Sequence, residues 1–428
     1  MASAASPGFQ YDVSEAAGVK VAHREVAGPT TTLALVAKAG ARYQPFPGLS
    51  DALEYFAFKT TLKRSALRIN REVELLGGEV SSTNSRENVV LKAKFLSSDL
   101  PYFAELLAEV ASQTKYPAHE LKEVVLGLLR YKQQAFASNS EAVALDAAHG
   151  VAFHRGLGET LTPTNAVFDK YLSADAIAEF AKEAYAKSNI ALVASGSNSA
   201  ELSKWVGEFF KELPTGSAKE SPASKYFGGE QRIASKAGSS LVIAFPGSSA
   251  FGTAGYKPEA SVLAALLGGE SNIKWTPGFS LLAQATQGFS QLRASTQNLA
   301  YSDAGLFTVS LSGQAGQIAA AGKNVVEIVK KTAAGDVSSE TIKKAVALAK
   351  FRALESVQTL ETGIEATGSG LINGSKPYQI GEIAKAIEGV TEQQVKEAAK
   401  TFLSGKASVA AVGDLFQLPY AEDLGLTV

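Results

Sequence analysis

The chain has 428 residues, 46% of them hydrophobic and 19% charged, so it is long enough for two or three folded domains and too apolar for a disordered protein. Its 41 basic and 42 acidic side chains nearly cancel, which argues against nucleic-acid binding. Because cysteine is absent, the sequence excludes disulfides, thiolate metal sites and a cysteine nucleophile.

Two apolar runs are the best candidates for a membrane-spanning helix, and both end early. Residues 241–245 run into Pro246 and Gly247, and residues 262–267 run into a pair of glycines. A spanning helix needs about 20 apolar residues, so we expect none here. No basic residue precedes Lys20, so neither a secretory signal nor an arginine-rich transit peptide is visible. A mitochondrial protein with this N-terminus would be a processed or edited form.

Predicted strands and helices alternate along the chain. The strands, rich in apolar and β-branched residues, are 31–37, 89–95, 190–194, 241–245 and 306–311. Helical periodicity marks 100–113, 120–137, 318–332 and 340–360. This mixture predicts an α+β fold in which helices cover one face of a largely antiparallel sheet. A mixed sheet would give the same periodicity.

The order of these elements occurs twice. Residues 180–196 (FAKEAYAKSNIALVASG) and 397–413 (EAAKTFLSGKASVAAVG) each read as an alanine-rich helix, a break, an apolar strand and a glycine. One constant offset pairs Gly196 with Gly413 and Ser85 with Ser302. We therefore predict two homologous domains, 10–213 and 226–428, joined by a linker at 214–225 that is rich in Pro, Gly and Ser.

The segment with the most chemical information is 48–61, GLSDALEYFAFKTT. Ser50 is a predicted helix N-cap, and Asp51 beside it suits the positive end of the helix dipole. Asp51, Glu54 and Tyr55 are three and four residues apart and therefore share one helix face. Two carboxylates without an imidazole suit only a weak, hydrated divalent cation. The alternative is an ordinary helix start with polar side chains.

This segment resembles the zinc-binding helix of the pitrilysin and mitochondrial processing peptidase family, where His-x-x-Glu-His is followed by Ala-Phe-Lys-Gly-Thr. Here 57–61 (AFKTT) keeps most of the tail, and Glu54 keeps the position of the general base. The resemblance places Asp51 and Tyr55 at the two histidine positions. The distance along the chain to the family's third ligand, a glutamate, leads from Tyr55 to Tyr131. All three ligands are replaced.

The resemblance implies a LuxS/processing-peptidase-like metallohydrolase fold with two homologous domains, and no catalytic residue, metal or cofactor. Residues 76–80 (LGGEV) also resemble the family's Gly-Gly turn before the edge strand of its peptide cleft, although a tight turn that needs glycine explains them equally well. We expect His23, His119, His149 and His154 to serve as hydrogen-bonding residues, because none of their spacings suits a metal site.

Segments from both halves, including 85–88 (SREN) and 300–307 (AYSDAGLF), resemble the branch of this family that forms non-catalytic core subunits of respiratory complex III. That resemblance implies a peripheral position on the matrix side of the mitochondrial inner membrane. It implies as partners core protein 1, cytochrome b, cytochrome c1, the Rieske protein and small subunits. Two other functions stay open: a substrate-binding partner of an active processing peptidase, and a peptidase with an unrecognised site.

Mean hydropathy is +0.03, which is high for a chain without a membrane segment. We predict that the apolar segments 262–267 and 409–412 need cover from a partner subunit. The chain should then be stable mainly within a hetero-oligomer.

Overall fold

A computed structural model describes residues 10–269, 280–289, 291–355 and 363–428. The described residues form two compact units, and each unit combines separate stretches of the chain. Unit 1 contains 10–133, 161–222 and 363–381; unit 2 contains 134–160, 382–428 and the described part of 223–355. The linear division into 10–213, 214–225 and 226–428 stays a prediction, and the compact units differ from it because each half contributes a short stretch to the other unit.

Unit 1 is built on a six-stranded sheet. Its strands are β1 (Asp12–Ala16), β2 (Val19–Arg24), β3 (Thr30–Ala37), β4 (Glu79–Asn84), β5 (Val89–Leu96) and β6 (Ile190–Ser195). Their order across the sheet is β1-β2-β6-β3-β5-β4, and every neighbouring pair is antiparallel except β2 and β6. The central strands β3 and β6 are buried on both faces, which agrees with their unbroken apolar sequences.

Unit 2 repeats this arrangement with five strands. They are β7 (Gly229–Ala234), β8 (Ser239–Pro246), β9 (Leu292–Ala300), β10 (Gly305–Gly313) and β11 (Ser408–Gly413). The order β7-β11-β8-β10-β9 matches that of unit 1 without β1, again with one parallel pair, β7 and β11. Gly196 follows β6 as Gly413 ends β11, and Ser85 and Ser302 lie in the two equivalent hairpin turns. The predicted fold class and the duplication are therefore confirmed.

The helices of the first half include both predicted segments, 100–113 and 120–137. They are α1 (Leu49–Phe56), α2 (Ala66–Leu75), α3 (Leu100–Gln113), α4 (Ala118–Glu120), α5 (Leu126–Ala137), α6 (Ser140–Phe153), α7 (Asn165–Tyr171), α8 (Ala174–Ala184) and α9 (Ser199–Phe209). A π-helical turn, Leu121–Val125, joins α4 to α5, so the predicted helix 120–137 is continuous but irregular.

The second half adds the remaining helices. They are α10 (Pro258–Leu267), α11 (Leu281–Thr286), α12 (Ala315–Ala334), α13 (Ser339–Glu355), α14 (Ile364–Ile372), α15 (Ile380–Glu388) and α16 (Glu392–Ser404). The predicted helix 340–360 is confirmed as far as Glu355, and its last residues, 356–360, lie outside the described residues.

Each sheet carries helices on both faces, so the prediction of a single covered face is wrong. In unit 1, α14 packs on Ala34 and Val36 of β3, on the face opposite α1 and α3. In unit 2, α6 packs on Val242 of β8 and Ala410 of β11. Both helices come from the other half of the sequence, and hydrophobic periodicity cannot tell which sheet a helix will cover.

The two apolar segments that we predicted to need a partner are covered by unit 2 itself. Residues 409–412 are fully buried in the interior strand β11, and residues 262–267 are all at most 9% exposed in α10. The helix α10 packs against α13 and α16. The prediction that a partner must cover these segments is therefore wrong. Among the described residues, no helix combines the length and apolarity needed to cross a bilayer.

The predicted linker, 214–225, contains neither helix nor strand, and part of it is fastened to unit 1. Asn189 donates a hydrogen bond to the Ser217 carbonyl (3.0 Å) and accepts one from the Lys219 backbone N–H (2.6 Å). The buried Arg42 guanidinium donates to the Ser221 hydroxyl at 3.1 Å. These contacts give residues 217–221 a defined path that Pro, Gly and Ser content alone does not predict.

Candidate functional site

The helix α1 begins two residues earlier than predicted. Its N-cap is Gly48 with φ +97°, a left-handed conformation that favours glycine, and not Ser50. Ser50 is fully buried inside the helix and its hydroxyl donates to the Ala39 carbonyl at 2.5 Å. The predicted N-cap is wrong because this hydroxyl ties the helix to the end of β3. Asp51 does lie in the first turn, as predicted.

Two carboxylates of α1 converge on one ammonium group. Lys132 Nζ, from α5, donates to Asp51 Oδ1 at 2.8 Å and to Glu54 Oε2 at 2.7 Å. A third hydrogen bond, 3.0 Å long, reaches Asn84 Oδ1 at the end of β4. Asn84 Nδ2 in turn donates to Asp51 Oδ1 at 3.2 Å. The four side chains form what we call the Lys132 cluster.

The Lys132 cluster is largely shielded from water. The Asp51 side chain is 2% exposed, that of Glu54 15% and that of Lys132 25%. Burial raises the pKa of both carboxyls, and the ammonium offsets only part of that rise. Burial alone would lower the pKa of Lys132, but the two carboxylates outweigh it, and the pKa of the ammonium is raised.

The two tyrosines at predicted ligand positions lie differently from the carboxylates. Tyr55 borders the Lys132 cluster, with the ammonium 5.6 Å from its ring centre, and burial raises the pKa of its phenol. Tyr131 is 73% exposed on the outer face of α5 and is not part of the cluster. Counting along the chain from Tyr55 therefore leads to Tyr131, whereas the next residue, Lys132, is the one that faces the two carboxylates.

Sequence reasoning missed Lys132 and Asn84. A signal for Lys132 was present, because Leu121, Val125 and Leu129 are buried at four-residue steps, and Lys132 continues this stripe on the same helix face. Tyr131 lies about 100° further around the helix axis. Asn84 has no comparable signal, since its role depends on how β4 pairs with β5.

The residues present do not fit the zinc ion of the family. A zinc site requires four ligands, commonly imidazoles or thiolates, whereas this position offers two carboxylates and an amide oxygen that already bind an ammonium. Among the described residues, no group of three or more His, Cys, Asp or Glu side chains could hold a metal ion. Glu54 accepts a hydrogen bond from Lys132, so its carboxylate is engaged by a cation within the chain.

A small pocket of about 260 Å³ lies beside the Lys132 cluster, lined by Glu54, Tyr55, Phe58 and Val80 among others. The Gly-Gly turn, Gly77 and Gly78, lies directly before β4. Gly77 has φ +64°, and a Cβ added to Gly78 would meet the Phe103 ring at 2.3 Å. Backbone geometry and close packing therefore account for both glycines.

Of the histidines, His149 is the best defined. It is buried in α6, and its ring nitrogens lie 2.7 Å from the Leu145 carbonyl and 2.8 Å from the Tyr301 hydroxyl. His154 stacks on Phe227, with ring centres 4.1 Å apart. His149 thus has the hydrogen-bonding role expected from the sequence.

Two family models match the chain in succession. Residues 20–165 match insulinase (peptidase family M16), and residues 171–348 match the peptidase M16 inactive domain. Relatives that are more than 30% identical over nearly their whole length agree with both matches. The chain belongs to peptidase family M16.

Three similar proteins from different organisms share one name. Proteins called cytochrome b-c1 complex subunit 2, mitochondrial, are 54% identical in Neurospora crassa (100% of this chain, 94% of the relative) and 35% identical in Schizosaccharomyces pombe (97% and 96%). The mouse protein of that name is 31% identical, covering 95% of this chain and 90% of the relative.

Proposed function

We propose that this chain is a non-catalytic core subunit of respiratory complex III, in the position that subunit 2 has in its relatives. The observation that carries the proposal is similarity along the whole chain to a mitochondrial cytochrome b-c1 complex subunit, at 54% identity. The match of the second half to an inactive domain supports a structural role. So does Glu54, whose carboxylate accepts a hydrogen bond from Lys132.

The proposal extends to location and partners. The chain lies peripherally on the matrix side of the inner membrane and contacts core protein 1, cytochrome b, cytochrome c1, the Rieske protein and small subunits. It stabilises the assembled complex, and the electron-transfer groups belong to those other subunits. The mitochondrial b-c1 complex named for the relatives supports the assembly, and the family resemblance supports the finer placement.

Co-purification tests this function directly. The chain, carrying an affinity tag, is isolated from mitochondria of its own organism in mild detergent, and the eluate is examined for b-type and c-type haem spectra. We expect both haem signals in constant ratio to the tagged chain. Protease treatment then tests the matrix-side position. It is applied to mitochondria with only the outer membrane ruptured and to mitochondria with both membranes opened, because a matrix protein is digested only after the inner membrane is opened.

A different result would identify the alternative function. Recovery of a soluble partner that retains the His-x-x-Glu-His motif, without haem, would contradict the proposal and indicate a substrate-binding partner of a processing peptidase. An untagged strain processed in parallel gives the background of haem proteins that adhere to the resin.

A further inference from the structure

Three separate elements supply oxygen or nitrogen atoms to a single point in unit 1. The carboxylates of Asp51 and Glu54 come from α1, the amide oxygen of Asn84 from the end of β4, and the ammonium of Lys132 from α5. A second contact between β4 and α1, from the Ser82 hydroxyl to the Glu54 carbonyl at 2.6 Å, holds the oxygens in register. The cluster therefore fixes how α5 lies against α1 and β4.

We propose that Lys132 is a built-in cation: its ammonium stands in place of the metal ion of this family and fastens α1, β4 and α5 without any metal. An ammonium has three N–H donors, and here it finds three oxygen acceptors between 2.7 and 3.0 Å. Its hydrogen-bonding capacity is thus complete. This inference does not depend on the proposed function in complex III.

The built-in cation explains the loss of metal more fully than the missing histidines do. A divalent cation could reach Asp51 and Glu54 only by displacing an ammonium that is held by both carboxylates, or by lying beside it against like-charge repulsion. Replacing Tyr55 by histidine alone would leave that barrier in place. The exclusion of metal is accordingly a property of Lys132 as well as of the ligand positions.

Removal of the ammonium should therefore leave an acidic, oxygen-lined position that accepts a hard cation. Asp51, Glu54 and Asn84 offer carboxylate and amide oxygens, the ligands preferred by ions such as Mn²⁺. The variant Lys132→Ala should acquire weak Mn²⁺ binding that the wild-type chain does not show.

The test is thermal unfolding of the full chain with and without excess MnCl₂. Lys132→Ala should lower the Tm by about 5–10 °C, because a buried carboxylate loses its partner, and Mn²⁺ should restore part of that loss. Lys122→Ala, at an exposed lysine of the preceding π-turn, is the matched control and should change neither Tm nor Mn²⁺ response. Asp51→Asn combined with Lys132→Ala should not respond to Mn²⁺.

A neutral triple variant separates charge from packing. Asp51→Asn, Glu54→Gln and Lys132→Met together remove every charge and keep similar volumes, so the Tm should return close to that of the wild type. If the triple variant melts as low as Lys132→Ala, the unpaired carboxylates are not the cause of the loss and the proposal is wrong. Equal Tm values for Lys132→Ala and Lys122→Ala, or Mn²⁺ stabilisation of the wild type, would also overturn it.

Discussion

The same helix–helix contact, which we call the junction, occurs once in each unit. The two copies are held together by different interactions. In unit 1, α1 faces α5 through the Lys132 cluster. In unit 2 the equivalent helices are α10 and α13, which contact each other. Leu263 of α10 and Ala345 and Ala349 of α13 are all buried. The fold therefore does not require charge at this junction, since ordinary packing closes it in the second copy.

This difference separates what the fold needs from what is particular to unit 1. Buried ion pairs are weak contributors to stability, because desolvation of the charges offsets much of their attraction, whereas breaking such a pair leaves a costly unpaired charge. Unit 1 consequently has a junction that tolerates replacement of the whole cluster but not of one member. Unit 2 has a junction that tolerates no charge.

The largest expected effect comes from placing a charge in the apolar junction. Leu263 is fully buried in α10, and Leu263→Asp would bury a carboxylate without a partner lysine. We expect a loss of about 4 kcal/mol or more in the free energy of unfolding, measured by urea denaturation of the full chain. Leu263→Met, which conserves volume, should cost less than about 1.5 kcal/mol. Wild-type stability of Leu263→Asp would show that α10 tolerates charge as α1 does.

A smaller effect should distinguish the two helices that cover the second face of each sheet. A Cβ added to Gly368 of α14 would lie 2.4 Å from a methyl carbon of Val36, whereas one added to Gly150 of α6 has its nearest neighbour at 3.6 Å. Gly368→Ala should therefore destabilise unit 1 by about 1–3 kcal/mol. Gly150→Ala should stabilise unit 2 by about 0.5–1 kcal/mol, because alanine favours helix. Equal effects in urea unfolding would contradict the close approach of α14.

The sequence predicted the features that occur in both halves better than it predicted the two helices, α6 and α14, that each half contributes to the other unit. Strands such as β3 and β5 and the helix α3 follow from local apolar patterning, and the constant offset between Gly196 and Gly413 revealed the duplication. The exchange of α6 and α14 could not be predicted, because local patterning shows that a helix has an apolar face but not which sheet covers it. The apolar segment 262–267 was misread for the same reason.

The candidate site was predicted in part. The shared face of Asp51 and Glu54 follows from helix geometry and is present in the structure. Lys132 was missed because counting from Tyr55 reaches Tyr131, and a count along the chain carries no information about the direction of a side chain. Ser50 was misread as an N-cap because its hydroxyl binds the Ala39 carbonyl, a contact between distant residues.

The pH dependence of stability should differ between the two junctions. The groups that face Lys132 are Asp51, Glu54 and Tyr55 from α1 and Asn84 from β4. Because the carboxylates raise the pKa of Lys132 in the folded chain, the ammonium contributes stability that is complete below the ordinary lysine pKa of 10.5. That contribution is lost as pH rises through the higher folded-state pKa.

The measurement compares the free energy of unfolding of wild type and of the neutral triple variant, by urea unfolding from about pH 9 to about pH 12. One titrating proton changes the unfolding free energy by at most about 1.4 kcal/mol per pH unit. Wild type should lose stability relative to the triple variant as Lys132 deprotonates. Lysines and tyrosines away from the cluster titrate in both proteins and cancel in the difference, whereas Tyr55, which borders the cluster, does not. A difference that stays constant over this range would show that Lys132 keeps the same pKa folded and unfolded.

The smallest effect concerns how the equivalent helices α8 and α16 begin. Ser173 caps α8 by accepting from the Ala176 N–H at 3.2 Å, whereas Thr391 and Gln394 cap α16 reciprocally, with Gln394 Oε1 accepting from the Thr391 N–H at 2.8 Å. Gln394→Ala converts the second cap to the first type, and we expect it to cost about 0.5 kcal/mol, the lower range for one hydrogen bond. Ala176→Gln should add a similar amount to the stability of unit 1.

Hydrogen exchange of the first-turn amides measures both changes. As a control, Thr391→Ala removes the side-chain acceptor itself and should cost about 1 kcal/mol. If Gln394→Ala accelerates exchange as much as Thr391→Ala does, the glutamine and not the threonine hydroxyl is the main cap of α16.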